Sequence, residues 1–254
     1  MPPHVLVTND DGIDSPGLAV LARSAAKLGW SVTVAAPNVE ASGTSAGLTA
    51  ATTDRHVTTS PTTLPGLPDV TAHAVAAHPA LIALIGCHGA FGTPPDLLLS
   101  GVNHGANVGR AILHSGTVGA TLTASINGTP AIAVSLDVPL NPVEAPHWDT
   151  AEAVLATLLP LATDLAPAQV LNINIPDLPL HQVRPPRWAR LAAQGRVRSD
   201  VTRQDDASVL VGNTVVDDPL EPGTDAALLA ERHTTVSPVQ SVADTPTPDL
   251  RLPD

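Results

Sequence analysis

An α/β fold, with a mostly parallel sheet flanked by helices, is predicted by three observations. Short aliphatic runs alternate with stretches of helical spacing, the first run ends on an acidic turn closed by glycine, and later runs are again followed by loops rich in Gly, Ser and Asn. Strands buried on both faces read as such unbroken aliphatic runs, and ligands gather where the carboxyl ends of parallel strands meet.

Composition narrows the class. The 254 residues are 43% apolar but hold one Phe, three Trp and no Tyr, so the core must be built from Val, Leu, Ile and Ala. A single Cys87 can form no internal disulfide, which fits a reducing, cytoplasmic setting. Twelve basic against 24 acidic residues leave a formal charge of -12, with no basic cluster dense enough for a nucleic-acid groove. A nucleic-acid polymer is therefore not an expected partner. A small anionic substrate must be drawn in by a metal or by backbone N–H groups, against the field of the whole protein. No run reaches the about 18–20 apolar residues of a membrane span. Met1-Pro2-Pro3-His4 leads straight into a core strand, so neither a leader nor a membrane partner is expected.

His4-Val5-Leu6-Val7-Thr8 reads as the first buried strand, and Asn9-Asp10-Asp11-Gly12 as the turn that ends it. Two adjacent carboxylates repel if buried alone, so they must face water or share a cation. Ser15 can cap a helix with Pro16 in its first position; Leu18, Leu21, Ala22, Ala25 and Leu28 line one face before Gly29 stops it. Residues 32–36 are the next strand, completing a right-handed βαβ unit. The loop 38–45 thus returns to the rim that holds Asp10 and Asp11, carrying Ser42. From 48 to 76, Thr, Pro and short Val-rich pieces predict a hairpin or irregular extended structure, with a strand at 70–75. Residues 79–85 read as a short buried helix and 86–95 as a glycine-rich connection. In that connection Cys87 and His88, with no further ligands beside them, read as a buried thiol next to a loop histidine.

Residues 97–100 are the third strand and 101–107 the third rim loop, where Gly101 and Gly105 let backbone approach a ligand and Asn103 and Asn107 supply amides. Ser115-Gly116-Thr117 opens a helix that runs to about Asn127 and is closed by Gly128 and Pro130. Free N–H groups, hydroxyls and the positive helix end suit a phosphate there; the same turn serves equally as an ordinary N-cap. A strand at 131–136 and a helix at 149–165, which Pro160 must kink or end, precede the strand 170–175. Asn172 and Asn174 alternate with aliphatics in that strand and predict one wetter face. Beyond Pro176, Arg184, Arg187, Arg190, Arg196 and Arg198 gather around Trp188, a stretch suited to substrate phosphates or to the acidic surface of another subunit. Gly212-Asn213, between Val209-Leu210-Val211 and Val215-Val216, signals a hairpin turn. The chain divides into an α/β catalytic domain (1–182), an arm (183–242) and a proline-rich loose tail (243–254). An arm of strands with little core must pack on something, which predicts a homodimer or homotetramer.

Asp10, Asp11, Ser42 and Asn103 are hard oxygen donors of the kind magnesium or manganese takes, whereas ten scattered histidines and one cysteine make no zinc cage. A divalent ion beside an N–H-rich helix start suits phosphoryl chemistry. Four motifs in order, Thr8-Asn9-Asp10-Asp11-Gly12, Glu40-Ala41-Ser42, the run from Ser100 to Asn107 and the run from Ser115 to Ala120, resemble the SurE survival-protein family. Leu171-Asn172-Ile173-Asn174-Ile175-Pro176, Gly223-Thr224-Asp225 and Thr235-Val236-Ser237-Pro238 extend the resemblance over nearly the whole chain.

The resemblance implies a Rossmann-like domain, a C-terminal arm exchanged between subunits, and a metal-dependent phosphomonoesterase acting on nucleoside 5′- and 3′-monophosphates. By motif position, Asp10, Asp11, Ser42 and Asn103 would hold one Mg2+ or Mn2+ per subunit. Asn9, Asn107, Ser115, Gly116 and Thr117 would hold the phosphate. Asp10 and Asp11 are the candidate catalytic residues, Asp10 to orient or deprotonate a metal-activated water attacking in line. Ser115 is the weaker candidate as a nucleophile, since no histidine is placed by sequence to activate it, with His104 and His114 left open. Two other readings stand beside this one: a specialised phosphatase for a phosphorylated secondary-metabolite intermediate, and a catalytically silent nucleotide-binding module. The chain departs from the family pattern at Ala46, Leu81, Thr123 and Gln240, in segments around otherwise retained motifs, from which an altered or narrowed substrate pocket is expected.

Overall fold

The computed structural model describes residues 2–49, 56–193, 197–203, 208–215 and 219–243; of the predicted tail only residue 243 falls within them. In chain order the elements are β1 (His4–Thr8), α1 (Pro16–Lys27), β2 (Ser31–Pro37), β3 (Thr59–Leu64), β4 (Leu67–Val75), α2 (Pro79–Cys87), β5 (Leu97–His104), α3 (Gly116–Ile126), β6 (Ala131–Asp137) and α4 (Trp148–Leu158). Then follow β7 (Val170–Pro176), β8 (Arg184–Trp188), β9 (Val197–Arg203), β10 (Val209–Val215), α5 (Asp225–Ala230) and β11 (His233–Val239), with 3-10 turns at Gly109–His114, Leu159–Asp164 and Leu180–Gln182.

Nine strands form one sheet in the order β3-β4-β2-β1-β5-β6-β7-β11-β8. The six from β4 to β7 are parallel, while β3 and β11 run antiparallel to β4 and β7. β1 lies between β2 (Val7 opposite Val34) and β5 (Val7 opposite Leu99). The chain winds one way from β1 to β2 and the other way to β5, so the order reverses between β1 and β5. A crevice opens outside the carboxyl ends of strands at such a reversal.

Successive side chains of a strand face opposite sides, and both sides are covered. Val5, Val7, Leu99, Ile132 and Val134 pack under α1 and α4 with Leu18, Leu21 and Leu155. Leu6, Ala35, Leu98 and Ala131 meet Ile82, Ala120 and Ala124 of α2 and α3. α1 starts as predicted, with Ser15 Oγ accepting from Leu18 N at 3.3 Å and Pro16 in the first turn. α4 ends at Leu158; Pro160, having no N–H for the α ladder, stands in the first turn of the 3-10 segment. No helix among the described residues is long and apolar enough to cross a membrane.

Several expectations need correction. β5 continues through Gly101, Val102 and Asn103, read from sequence as loop, with a register shift against β6 between Ser100 and Asn103. Gly101 admits backbone rather than ligand: a Cβ on it would lie 2.2 Å from the carbonyl oxygen of Val134. The expected wetter face of β7 is dry, since Asn172 and Asn174 are fully buried and hydrogen bonded to backbone. Gly212 and Asn213 are not a turn; they lie inside β10 opposite Asp200 and Ser199. Of the stretch read as an arm, β8 and β11 join the main sheet, and β9 with β10 forms a separate two-stranded sheet.

Candidate active site

A cleft of about 1000 Å3 opens at the carboxyl ends of β1, β2 and β5. Six of the nine predicted site residues line it: Asp10, Asp11, Ser42, Asn103, Asn107 and Ser115. Loops separated by tens of residues converge here because the parallel strands before them end on one rim.

The acidic turn is held from behind. Asn9 is buried; its Nδ2 donates to Gly12 O (3.0 Å) and Ser15 Oγ (2.7 Å), and its Oδ1 accepts from Gly12 N (3.2 Å). Gly12, at φ +99°, takes the conformation that the clasp requires. Asp10 Oδ1 accepts from Thr117 Oγ1 at 2.5 Å, and Asp10 O accepts from Ala41 N at 2.8 Å, tying the Ser42 loop to the turn. Asp11 Oδ2 accepts from His104 N at 3.2 Å. Burial raises the pKa of Asp10 above the usual carboxylate range, against the pull of Thr117 and the α3 amides. Burial, and then the charge of Asp10, push Asp11 up to about 6.

Three residues expected on the phosphate stand elsewhere. Asn9 spends its amide on the turn. The Thr117 hydroxyl is given to Asp10, and Gly116 is the floor on which Asp10 lies: a Cβ there would meet Asp10 Oδ2 at 2.7 Å. The start of α3 thus steadies a catalytic-type carboxylate before it can serve an anion. Ser115 caps α3, its Oγ accepting from Val118 N at 3.1 Å, and keeps its own hydrogen for the cleft.

The other walls are fixed as firmly. Ser42 Oγ donates to Glu40 Oε1 at 2.7 Å, while Asn103 Nδ2 donates to Gly105 O at 2.7 Å and leaves Oδ1 as an acceptor. Asn107 is clamped by β6 and β7: its N donates to Asn174 Oδ1 (2.8 Å), its Nδ2 to Ser135 Oγ (2.9 Å), and its O accepts from Asn172 and Asn174. The Ser42 loop docks on α3 at Gly119, where a Cβ would lie 2.3 Å from Ser45 O, and Ser45 Oγ donates to Leu113 O at 2.5 Å. Sequence reading missed Gly119, and also Trp148, which lines the cleft. A second glycine within the first turns of a helix was the available signal.

Asp14 and Glu40 also line the cleft, with His104 and His114, and among the described residues no Lys or Arg lines it. A phosphate dianion would be repelled from this wall unless a cation stood between. Two carboxylates, a hydroxyl and an amide oxygen are the hard donors that Mg2+ or Mn2+ prefers, so the residues fit the ion. Of the arginines beyond Pro176, Arg190 pairs with Glu221 at 3.0 Å and Arg184 and Arg187 are exposed on β8, while Arg196 and the side chain of Arg198 lie outside the described residues. Ala46, Leu81, Thr123 and Gln240 do not line the cleft, so these departures do not narrow it directly. Thr123 is buried inside α3 and bonds Gly119 O at 2.8 Å. Cys87 closes α2 with His88 as its cap, and burial pushes its thiol pKa up.

The sequence profile described as Survival protein SurE matches residues 5–198. A relative named 5'-nucleotidase SurE from Pelobacter propionicus is 34% identical over 241 residues, covering 93% of this chain and 92% of its own. Another of that name, from Actinobacillus pleuropneumoniae serotype 5b, is 34% identical over 247 residues, 94% of each chain. Among solved structures, the SurE protein from Aquifex aeolicus superimposes with a TM-score of 0.75 at 26% identity, covering 94% of this chain and 93% of that one.

Proposed function

This chain belongs to the SurE survival-protein family, and from that premise we propose that it is a nucleotidase, a phosphomonoesterase releasing phosphate from nucleoside 5′- and 3′-monophosphates with one Mg2+ or Mn2+ per subunit. The observation that supports this reading is the meeting of Asp10, Asp11, Ser42 and Asn103 with Asn107 and Ser115 in one cleft where no Lys or Arg among the described residues faces an anion. The first four would hold the cation, which when bound supplies positive charge to a phosphoryl oxygen and lowers the pKa of water. Asp10, with Oδ1 fixed by Thr117, would orient the attacking water and take its proton. Ser115 donates its hydroxyl hydrogen to a phosphate oxygen. His104 and His114, the imidazoles of the cleft, are the candidates for protonating the leaving oxygen.

The test is phosphate release from adenosine 5′- and 3′-monophosphate in Mg2+, in Mn2+ and in chelator. Chelation should abolish turnover, and Asp10→Asn should lower it by about 10²–10⁴-fold, the usual contribution of a positioned base. Turnover that survives both chelation and Asp10→Asn would exclude this site.

A further inference from the structure

The acidic end of the cleft is accounted for; its aromatic end is not. Trp148, the first residue of α4, and His104, the last of β5, both line the cleft, with ring centroids 6.5 Å apart and planes at 51°. That separation lies within the about 4.5–7 Å at which aromatic groups pair. His104 joins this pair to the acidic turn, because its backbone N–H donates to Asp11.

The indole is held in place from several sides. Gly17 leaves it room, since a Cβ there would come 3.2 Å from Trp148 Cη2. Trp148 N donates to Pro146 O at 2.9 Å, and the preceding His147 is bound to Asp177 Oδ1 through N (2.7 Å) and Nδ1 (2.9 Å). The ring packs on the core and walls a smaller apolar pocket of about 340 Å3 beside Ile13, Ala19 and Leu64. Trp148 is half-buried, and the exposed imidazole of His104 stands next to it on the cleft wall.

We propose that Trp148 and His104 form a stacking shelf for the nucleobase of the substrate, making this pair the source of preference for nucleotides over bare sugar phosphates. The proposal rests on the nucleotidase reading of the same cleft. Every base has a π-face, so stacking on such a shelf tolerates purines and pyrimidines alike.

The experiment compares adenosine 5′-monophosphate with ribose 5-phosphate, which share the phosphorylated sugar and differ by the base. Trp148→Leu should lower the ratio of their kcat/KM values about tenfold or more, and Trp148→Phe should keep most of it. Equilibrium dialysis of the two esters gives the same comparison without turnover, and thermal melting reports the fold of each variant. If Trp148→Leu does not fold, His104→Ala, whose ring is exposed, is read by the dialysis ratio alone, which loss of a proton donor does not move, and should lower it. A ratio unchanged in a folded variant, or both esters weakened alike, overturns the shelf. Failure of the parent chain to hydrolyse either ester would end the nucleotidase reading, and the dialysis ratio would still decide the shelf.

Discussion

Asp10 and Asp11 stand side by side where burial penalises charge, and the residue scale of this protein is governed by that conflict. A carboxylate is ordinarily half-ionised near pH about 3.9, and Asp11 is pushed up to about 6. The folded value is the higher one, so between the two the native chain holds a proton that the unfolded chain has lost. Without divalent cation, stability should therefore decline as pH rises from about 4 to about 6 and stay at the lower level above it. Asp11→Asn should flatten that slope, raise the melting temperature of the chelated protein above the window, and erase the gain that Mn2+ gives the parent chain. Melting curves across pH, in chelator and in Mn2+, check all three; a chelated parent chain that grows more stable over the window contradicts the account. The acid pair, Ser42, Asn103 and Asn107 were legible in the sequence because each comes after an aliphatic run on the same side of the fold, and Ser115 because it opens a helix with the pattern of a cap. The partners of Asn9 and Thr117, the turn itself and Asp10, were not legible, because sequence shows that a side chain can bond, not which partner is nearer.

Among elements, α3 shows tertiary demand overriding local preference. Ala in place of Gly119 would favour an isolated helix by about 1 kcal/mol. Here its Cβ would collide with Ser45 O at 2.3 Å, and the loop carrying Ser42 would have to retreat. Gly119→Ala should leave the helix intact while lowering phosphate release on the order of 100-fold, the scale of a displacement of about 1 Å at a reacting centre. Limited proteolysis should find the 38–47 loop more open; unchanged turnover would mean that docking on Gly119 does not matter. The same override explains two misread elements. Asn172 and Asn174 look like a wet face in a list of residues, but they grip the backbone of Asn107. Gly212-Asn213 has turn chemistry, yet pairing with Asp200 and Ser199 keeps it extended.

The whole molecule is a sheet whose order reverses at β1 and β5, with β9 and β10 standing apart as a two-stranded sheet. Such a ribbon is marginal by itself in water, and we propose that it packs on a second copy of the chain. Analytical ultracentrifugation should give a dimer or tetramer, and replacing the hairpin by a short Gly-Ser joiner should lower the mass to a smaller species; a full-length monomer would refute the pairing. Aliphatic runs, helix caps and the loops after each strand determined by themselves that this is a mostly parallel α/β protein with an oxygen-rich acidic rim. These are local signals, set by periodicity and by residues within a few positions. Only the tertiary structure decided which backbone each glycine admits, which amides are spent before a ligand arrives, and that Trp148 stands beside His104. Those depend on the close approach of segments far apart in the chain, a distance that neighbouring residues do not encode.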